Sequence, residues 1–367
     1  MIETYLKLIE NLKLNCMNRM FTLNKTGFEM FDCFRAYGLA FLIGGLENNA
    51  IIHIHDKGPA YIVNVEGNIP KSPDPKIFEK TESNAWTMVF QTFKERKDLK
   101  VKPPIEDVKD IAIQHYNKIL DMHSRHDFIP EIGNNVKDGR TLYQSIDVSA
   151  AKGYREEKRS VYHEGSQLQV DKFSWCIASI GAAWFGVWPR NLIRRDISFS
   201  VCSIPNPKKV LLITHREIHE RIEKQLCPIS ANTAIVHYSI KLVNAVLGKY
   251  DEADYDEVIF NVMQKTGQQP KPGGGGRYNL TFLKELTKTS AGQEMLNIMD
   301  RHLLPVNPNV KGIRQDVALA LSDFLLHSTL DNFRRFESLY IRGEINKELY
   351  SWKKSQLEEL LKYVEPA

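Results

Sequence analysis

Residues Gln268–Asn279 read QQPKPGGGGRYN, and how this stretch is read decides where one part of the chain ends and the next begins. Four consecutive glycines, Gly273 to Gly276, follow two prolines and precede Arg277. A phosphate-binding P-loop would need Gly-x4-Gly-Lys-Ser/Thr, with the lysine on phosphates and the hydroxyl on magnesium. Arg277 and Tyr278 stand where those residues would be, and the dinucleotide pattern Gly-x-Gly-x-x-Gly is not matched either. The stretch therefore reads as a flexible linker over residues 268–277, with Arg277 at its exit as a candidate phosphate contact.

Upstream of it, residues 1–267 alternate helical and β-like signals. The segment FEMFDCFRAYGLAFLIGGL places Phe31, Phe34, Leu39, Leu42 and Leu46 at helical spacing. IIHIHDKGPAYIVNV follows, two β-rich runs flanking Asp-Lys-Gly-Pro, and predicts a hairpin. Residues 77–129 read as helical, broken at Pro103-Pro104, and 130–170 read as polar and irregular. THREIHERIEKQL opens with Thr214 and carries Glu217 three residues on, the pattern of a capping box. ANTAIVHYSIKLVNAVLG predicts a second helix, and DEADYDEVIFNVMQKTG a third, stopped by Gly267. Downstream, residues 278–367 show apolar faces at i, i+3 and i+4 throughout and predict a C-terminal helical bundle. The expected class is α+β: a mixed N-terminal region with hairpins and helices, then the bundle.

Composition sets broad limits. The chain has 367 residues, 43% of them hydrophobic, and a net charge of +4. Five cysteines, none in a Cys-x-x-Cys pair, remove the main signature of zinc-ribbon and thioredoxin-like proteins and fit reduced thiols in a cytoplasmic protein. The N-terminal MIETYLKLIENLKLN carries acids and reads as an amphipathic helix, not a signal peptide. Phe173 to Trp188 is uncharged, but a spanning helix needs about 20 apolar residues. This run is shorter and includes Ser174, Ser179, Gly181 and Gly186, so it reads as a buried strand or helix.

Three histidine patterns are candidate metal or catalytic sites. His215 and His219 lie i, i+4 on one helical face, but Glu217 is one position late for a zinc protease, and a solvated, salt-bridged face is the plainer reading. His53 and His55 share one face of a predicted strand without a third ligand in view. His126-Asp127, with His115 and His123 nearby, gives an alternative function: a metal-dependent nuclease or phosphohydrolase.

The basic residues form the most consistent pattern. Lys152, Arg155, Lys158 and Arg159 interleave with Tyr154 and Tyr162; Arg190, Arg194 and Arg195 follow Trp188; Lys208 and Lys209 come next. Residues 151–230 hold 13 Lys and Arg against 8 Asp and Glu. Cations neutralise phosphates and release counterions, aromatic rings stack on unpaired bases, and Gln167, Gln169 and Asn191 carry amides able to read base edges. These residues, with Arg277, are the candidate nucleic-acid contacts. A protein scaffold, built on the apolar run and the bundle, is a further alternative.

FRAYGLAFLIGGLEN followed by a hairpin, and YNLTFLKELTKTSAGQEMLNIMDRHLL near the end, resemble the opening and the C-terminal helical region of large subunits of type I CRISPR (Cascade) effector complexes, in their subtype-A-like short form. The resemblance runs over most of the chain and lies in architecture and short apolar motifs. It implies a non-catalytic protein without cofactor or metal. Its partners would be crRNA, through the 5′ handle, target DNA, through the flanking motif and displaced strand, and the other subunits of the complex. It would recruit an effector nuclease or a transposition adaptor.

Overall fold

The computed structural model describes residues 19–47, 50–79, 85–90, 104–150, 168–194, 197–223, 225–226, 229–265, 270–303, 312–345 and 352–364. The expected N-terminal helix lies outside them. The fold is α+β, and the chain divides into two units that exchange segments. The first comprises residues 1–186, 206–216 and 251–254; the second comprises 187–205, 217–250 and 255–367. The second unit thus takes in residues 187–205, 217–250 and 255–267 upstream of the glycines.

The first unit is built around helix α1, Glu29–Gly44. Apart from Glu29, Asp32 and Arg35 its residues are apolar on all sides, which marks a core helix and not a surface one, and every residue from Met30 to Gly44 is buried. The entry to the helix is fixed by Asp32, which accepts hydrogen bonds from Thr26 N (2.7 Å), Gly27 N (3.1 Å) and the Thr26 hydroxyl (3.0 Å). Arg35, one turn on and fully buried, donates to Asp32 Oδ1 and to the Asn24 carbonyl, both at 2.9 Å.

Three strands cover one side of α1. β1 (Arg19–Asn24), β2 (Ile51–Asp56) and β3 (Ala60–Glu66) pair antiparallel in the order β1-β3-β2, with Thr22 opposite Ile62 and His55 opposite Ile62. The expected hairpin is therefore present, turning at Lys57-Gly58-Pro59. The C-terminal end of β8 (Ile197–Leu211) extends this sheet, with Lys209 opposite His55 and Leu211 opposite His53. Side chains alternate across a strand. Phe21, Leu23, Ile52, Ile54, Tyr61, Val63, Val65 and Val210 form the buried face.

The uncharged run Phe173 to Trp188 forms helix α5, Lys172–Phe185, flanked on the chain by α2 (Trp86–Phe90), α3 (Pro104–Gln114) and α4 (Tyr116–Ser124). Asp171 caps α5 by accepting from Phe173 N and Ser174 N. α1 and α5 cross at two glycines. A Cβ built on Gly38 would lie 2.7 Å from Ile177 C and 2.9 Å from Gly181 N; one on Gly181 would lie 2.8 Å from Phe34 C and 3.0 Å from Gly38 N. Phe41, Trp184 and Phe185 pack beside the crossing, with centroids 4.8 and 5.3 Å from Phe41. Among the described residues no helix is long and apolar enough to cross a membrane. Short strands β4 (Ile132–Gly133), β5 (Arg140–Thr141) and β6 (Gln169–Val170) make a second small sheet, ordered β4-β6-β5.

The second unit contains two hairpins and a set of helices. β7 (Arg190–Arg194) pairs with the start of β8. β9 (Ala253–Lys265) pairs with β10 (Pro270–Asn279). Two expectations are corrected here. The segment expected as a third helix is strand β9, because its branched and aromatic residues Val258, Ile259, Phe260 and Val262 suit a paired strand. The expected glycine linker is its partner: Gly274 to Gly276 sit opposite Val262, Asn261 and Phe260, with a register shift between Pro272 and Gly274 and a φ of +123° at Gly274.

Helix α6 (Leu212–Glu223) begins two residues before Thr214, so the expected capping box does not form. The Thr214 hydroxyl instead donates to Glu252 Oε2 at 2.7 Å. Helix α7 (Ala231–Ala245) has the capping box, built from Ser230 and Thr233. The C-terminal part is helical as expected: α8 (Thr281–Leu286), α9 (Ser290–Leu303), α10 (Ile313–Leu326), α11 (Leu330–Ile345) and α12 (Lys354–Leu361). Asp300 on α9 accepts from His237 (2.9 Å) and Lys241 (3.1 Å) on α7, and Asn232 donates to Asp323 (2.8 Å), which ties α7 to α9 and α10.

Candidate nucleic-acid interface

The outward face of the first unit's sheet follows from strand alternation. Since Ile52, Ile54, Val63 and Val210 point into the core, His53, His55, Ile62, Asn64, Lys209 and Leu211 point the other way. The two imidazoles stand side by side, with centroids 6.0 Å apart and planes 35° from parallel. Both are half-buried, while Lys57 at the turn and Lys208 and Lys209 on β8 are exposed.

The hairpin end that carries Lys57 is held firmly. Lys25 Nζ reaches both oxygens of Asp56, at 2.7 and 2.8 Å, and Asp56 Oδ1 also accepts from Gly58 N. Asn206 on β8 donates to Asp56 Oδ2 (3.2 Å) and accepts from the Tyr61 hydroxyl (2.7 Å). The His55 imidazole is held below its ordinary pKa by partial burial and then by Lys57, His53 and Lys209. It is thus a neutral ring at neutral pH, flanked by ammonium groups. A flat sheet face with rings beside cations suits unpaired bases stacked on the rings and phosphates on the lysines.

On the β1 side this face is closed. Asn24 Nδ2 donates to the carbonyls of His126 and Phe128, both at 3.0 Å, and His126 Nδ1 lies 2.5 Å from the Thr22 hydroxyl. His126 takes a left-handed conformation, φ +61°, to make these contacts. Its neighbour His123 is buried and hydrogen-bonds the Ile119 carbonyl through Nδ1 (2.8 Å). Burial, reinforced by the Arg35 charge, pulls its pKa down to about 4. Among the described residues, no group of three or more His, Cys, Asp or Glu side chains is arranged to hold a metal ion. His215 and His219 are both buried, which corrects the solvated-face reading: the His215 ring stacks on Tyr37 with centroids 4.4 Å apart.

The sequence-derived contacts fall in different places. Lys152, Arg155, Lys158, Arg159, Gln167 and Arg195, with Tyr154 and Tyr162, lie outside the described residues. Gln169 is on β6, and its Oε1 accepts from Val136 N at 3.2 Å, which engages it in the small sheet instead of leaving its carbonyl to a base. Arg190, Asn191 and Arg194 share strand β7 of the second unit, opposite Ser200, Phe199 and Ile197. Arg277 is on β10 and donates to Glu257 across the hairpin at 2.7 Å. Lys208 lies 3.7 Å from Asp254. Among the described contacts, only Lys209 is brought beside His53, His55 and Lys57. From sequence His53 and His55 are candidate metal ligands and Lys57 carries no signal of its own; the His-x-His spacing beside a turn lysine is the pattern that marks this face.

No known family profile matches the chain. It is similar to an uncharacterized protein of Archaeoglobus fulgidus, 26% identical over 367 residues, covering 95% of this chain and 99% of that one.

Proposed function

We propose that this chain is the non-catalytic large subunit of a crRNA-guided type I CRISPR effector complex. In this reading it contacts the crRNA 5′ handle and target DNA, takes part in flanking-motif recognition and displaced-strand binding, and acts in the cytoplasm. Its C-terminal helices meet neighbouring subunits and a downstream effector nuclease or transposition adaptor. The observation that carries the proposal is the outward sheet face, where His53 and His55 stand beside Lys57 and Lys209. Support also comes from Arg190, Asn191 and Arg194, which share one short strand. In guided recognition base pairing reads the sequence, so the protein needs modest charge, stacking rings and a few polar side chains.

The test is binding of the full chain to a short single-stranded RNA and to duplex DNA, followed by fluorescence anisotropy over a range of salt. Lys57→Ala/Lys209→Ala lowers affinity and reduces the single-strand salt slope by about 1.4, since each phosphate contact contributes about 0.7. A chain that binds neither probe, and purifies from its native host without a discrete short RNA, overturns the proposal.

A further inference from the structure

We infer that Asn64 sets the base preference of the outward sheet face: it pairs with an adenine stacked on the His53 and His55 rings, in a single strand whose phosphates lie toward Lys57 and Lys209. This rests on the nucleic-acid role proposed above and names the base that the face takes. Register fixes the placement. Two cross-strand rows make the face: Met20, Asn64, His53 and Leu211 in one, Thr22, Ile62, His55 and Lys209 in the next.

Asn64 is half-buried on β3, opposite His53. Opposed residues of an antiparallel pair carry Cβ atoms about 4.5–5.5 Å apart, so the amide stands at the edge of the imidazole. An amide offers donor hydrogens and an acceptor oxygen side by side. Among the described residues nothing hydrogen-bonds the Asn64 side chain. Asn24, the asparagine on β1, is engaged instead: its Nδ2 donates to the carbonyls of His126 and Phe128.

Charge fixes how a nucleotide lies on this face. Lys57 and Lys209 are exposed at the turn end, and among the described residues no ion pair engages either. Glu66, opposite Ile51, is exposed on the same face at the far end. Phosphates are drawn to the lysines and kept from Glu66, which leaves the base over the rings with its edge toward Asn64. Ile62 and Leu211 flank the rings and give the base apolar contact. Asparagine pairs bidentately with adenine, through N6 and N7, and a purine covers more of a two-ring platform than a pyrimidine does.

Fluorescence anisotropy of the full chain with short labelled single strands of adenosine, uridine or cytidine alone tests the assignment. The adenosine strand binds about fivefold tighter than the other two, or more, which is what one bidentate pair discriminates. Asn64→Ala brings the adenosine affinity down to the level of the others. Asn64→Asp, of the same shape but without the amide donor, also loses the preference. Lys57→Ala/Lys209→Ala weakens all three strands and keeps their order. Equal binding of the three strands by the parent chain overturns the inference, as does a preference for another base or an Asn64→Ala chain that still prefers adenosine; each of these leaves the nucleic-acid reading standing. A parent chain that binds none of the strands overturns that reading and the inference with it. Circular dichroism establishes that each variant is folded.

Discussion

Replacing Gly38 with alanine tests the crossing on which the first unit is built. The added methyl would sit 2.7 Å from Ile177 C and 2.9 Å from Gly181 N, and closer still to the Ile177 carbonyl oxygen. Carbon contacts are ordinarily about 3.5–4.0 Å, so α1 and α5 must separate by roughly 1 Å. The obstacles are backbone atoms in a helix, so no rotamer change relieves them. Overpacking of this kind costs about 1–3 kcal/mol, sometimes more, and the upper end applies here. Alanine in a helix interior recovers about 1 kcal/mol relative to glycine. The expected net loss is about 2 kcal/mol, equivalent to a fall of about 4–8 °C in the melting midpoint of a unit this size. Thermal and denaturant unfolding followed by circular dichroism measure it. Gly181→Ala should behave alike, and the double variant should lose less than the sum, because both demand the same separation. Gly133→Ala, with nothing within 4 Å of its Cβ, is the control. A Gly38→Ala chain as stable as the parent, or more stable as helix propensity alone requires, would refute the close crossing.

Other outcomes follow from the same geometry. His123 is neutral in the folded chain down to about pH 4, whereas an unfolded histidine charges near 6.5. Protons therefore bind the unfolded chain preferentially between those values, and stability falls as the pH drops from 6.5 to 4. The full effect is about 3 kcal/mol; burial raises the pKa values of Asp32 and Asp147, which opposes it on acidification. His123→Gln should flatten this part of a stability-versus-pH curve measured by denaturant melts, and an unchanged slope would remove His123 as the cause. Gly274→Ala forces a side chain into a positive-φ position and should cost about 1–2 kcal/mol, seen as faster amide exchange across β9 and β10; a true tether would show no change. Thr214→Ala should cost about 1 kcal/mol through the lost bond to Glu252, measured by the same melts.

Much of this fold is legible in the sequence where local signals are undiluted. The spacing of Phe31, Phe34, Leu39 and Leu42 marks α1, and the Asp-Lys-Gly-Pro turn marks the β2–β3 hairpin. Periodicity does not distinguish a helix from a strand in Phe173 to Trp188, because the run is apolar on every side. β9 reads as a helix because its acidic start resembles a first helical turn and Gly267 a stop, although its centre is β-branched and aromatic. β10 was hidden by composition: glycine and proline are depleted in strands, and only pairing with β9 makes this one. The site depends on register in the same way. Lys209 and His55 are 154 positions apart and meet only because β8 lies antiparallel to β2. His215 reads as a surface residue from its charged neighbours; its burial against Tyr37 is a tertiary fact.

Strand β8 has a consequence for how the chain must be made. β2 receives β3 on one edge almost as soon as the turn forms, but its other edge waits for residues 209–211. At about 5–20 residues per second of synthesis, that edge stays open for about 8–30 seconds. An open strand edge is a template for pairing with another chain. A fragment ending at Gly186 would never close it, and should be recovered as aggregates where the whole chain is not. Cutting this protein between its two units is therefore a poor way to study either: the last strand of one is the continuation of a strand of the other.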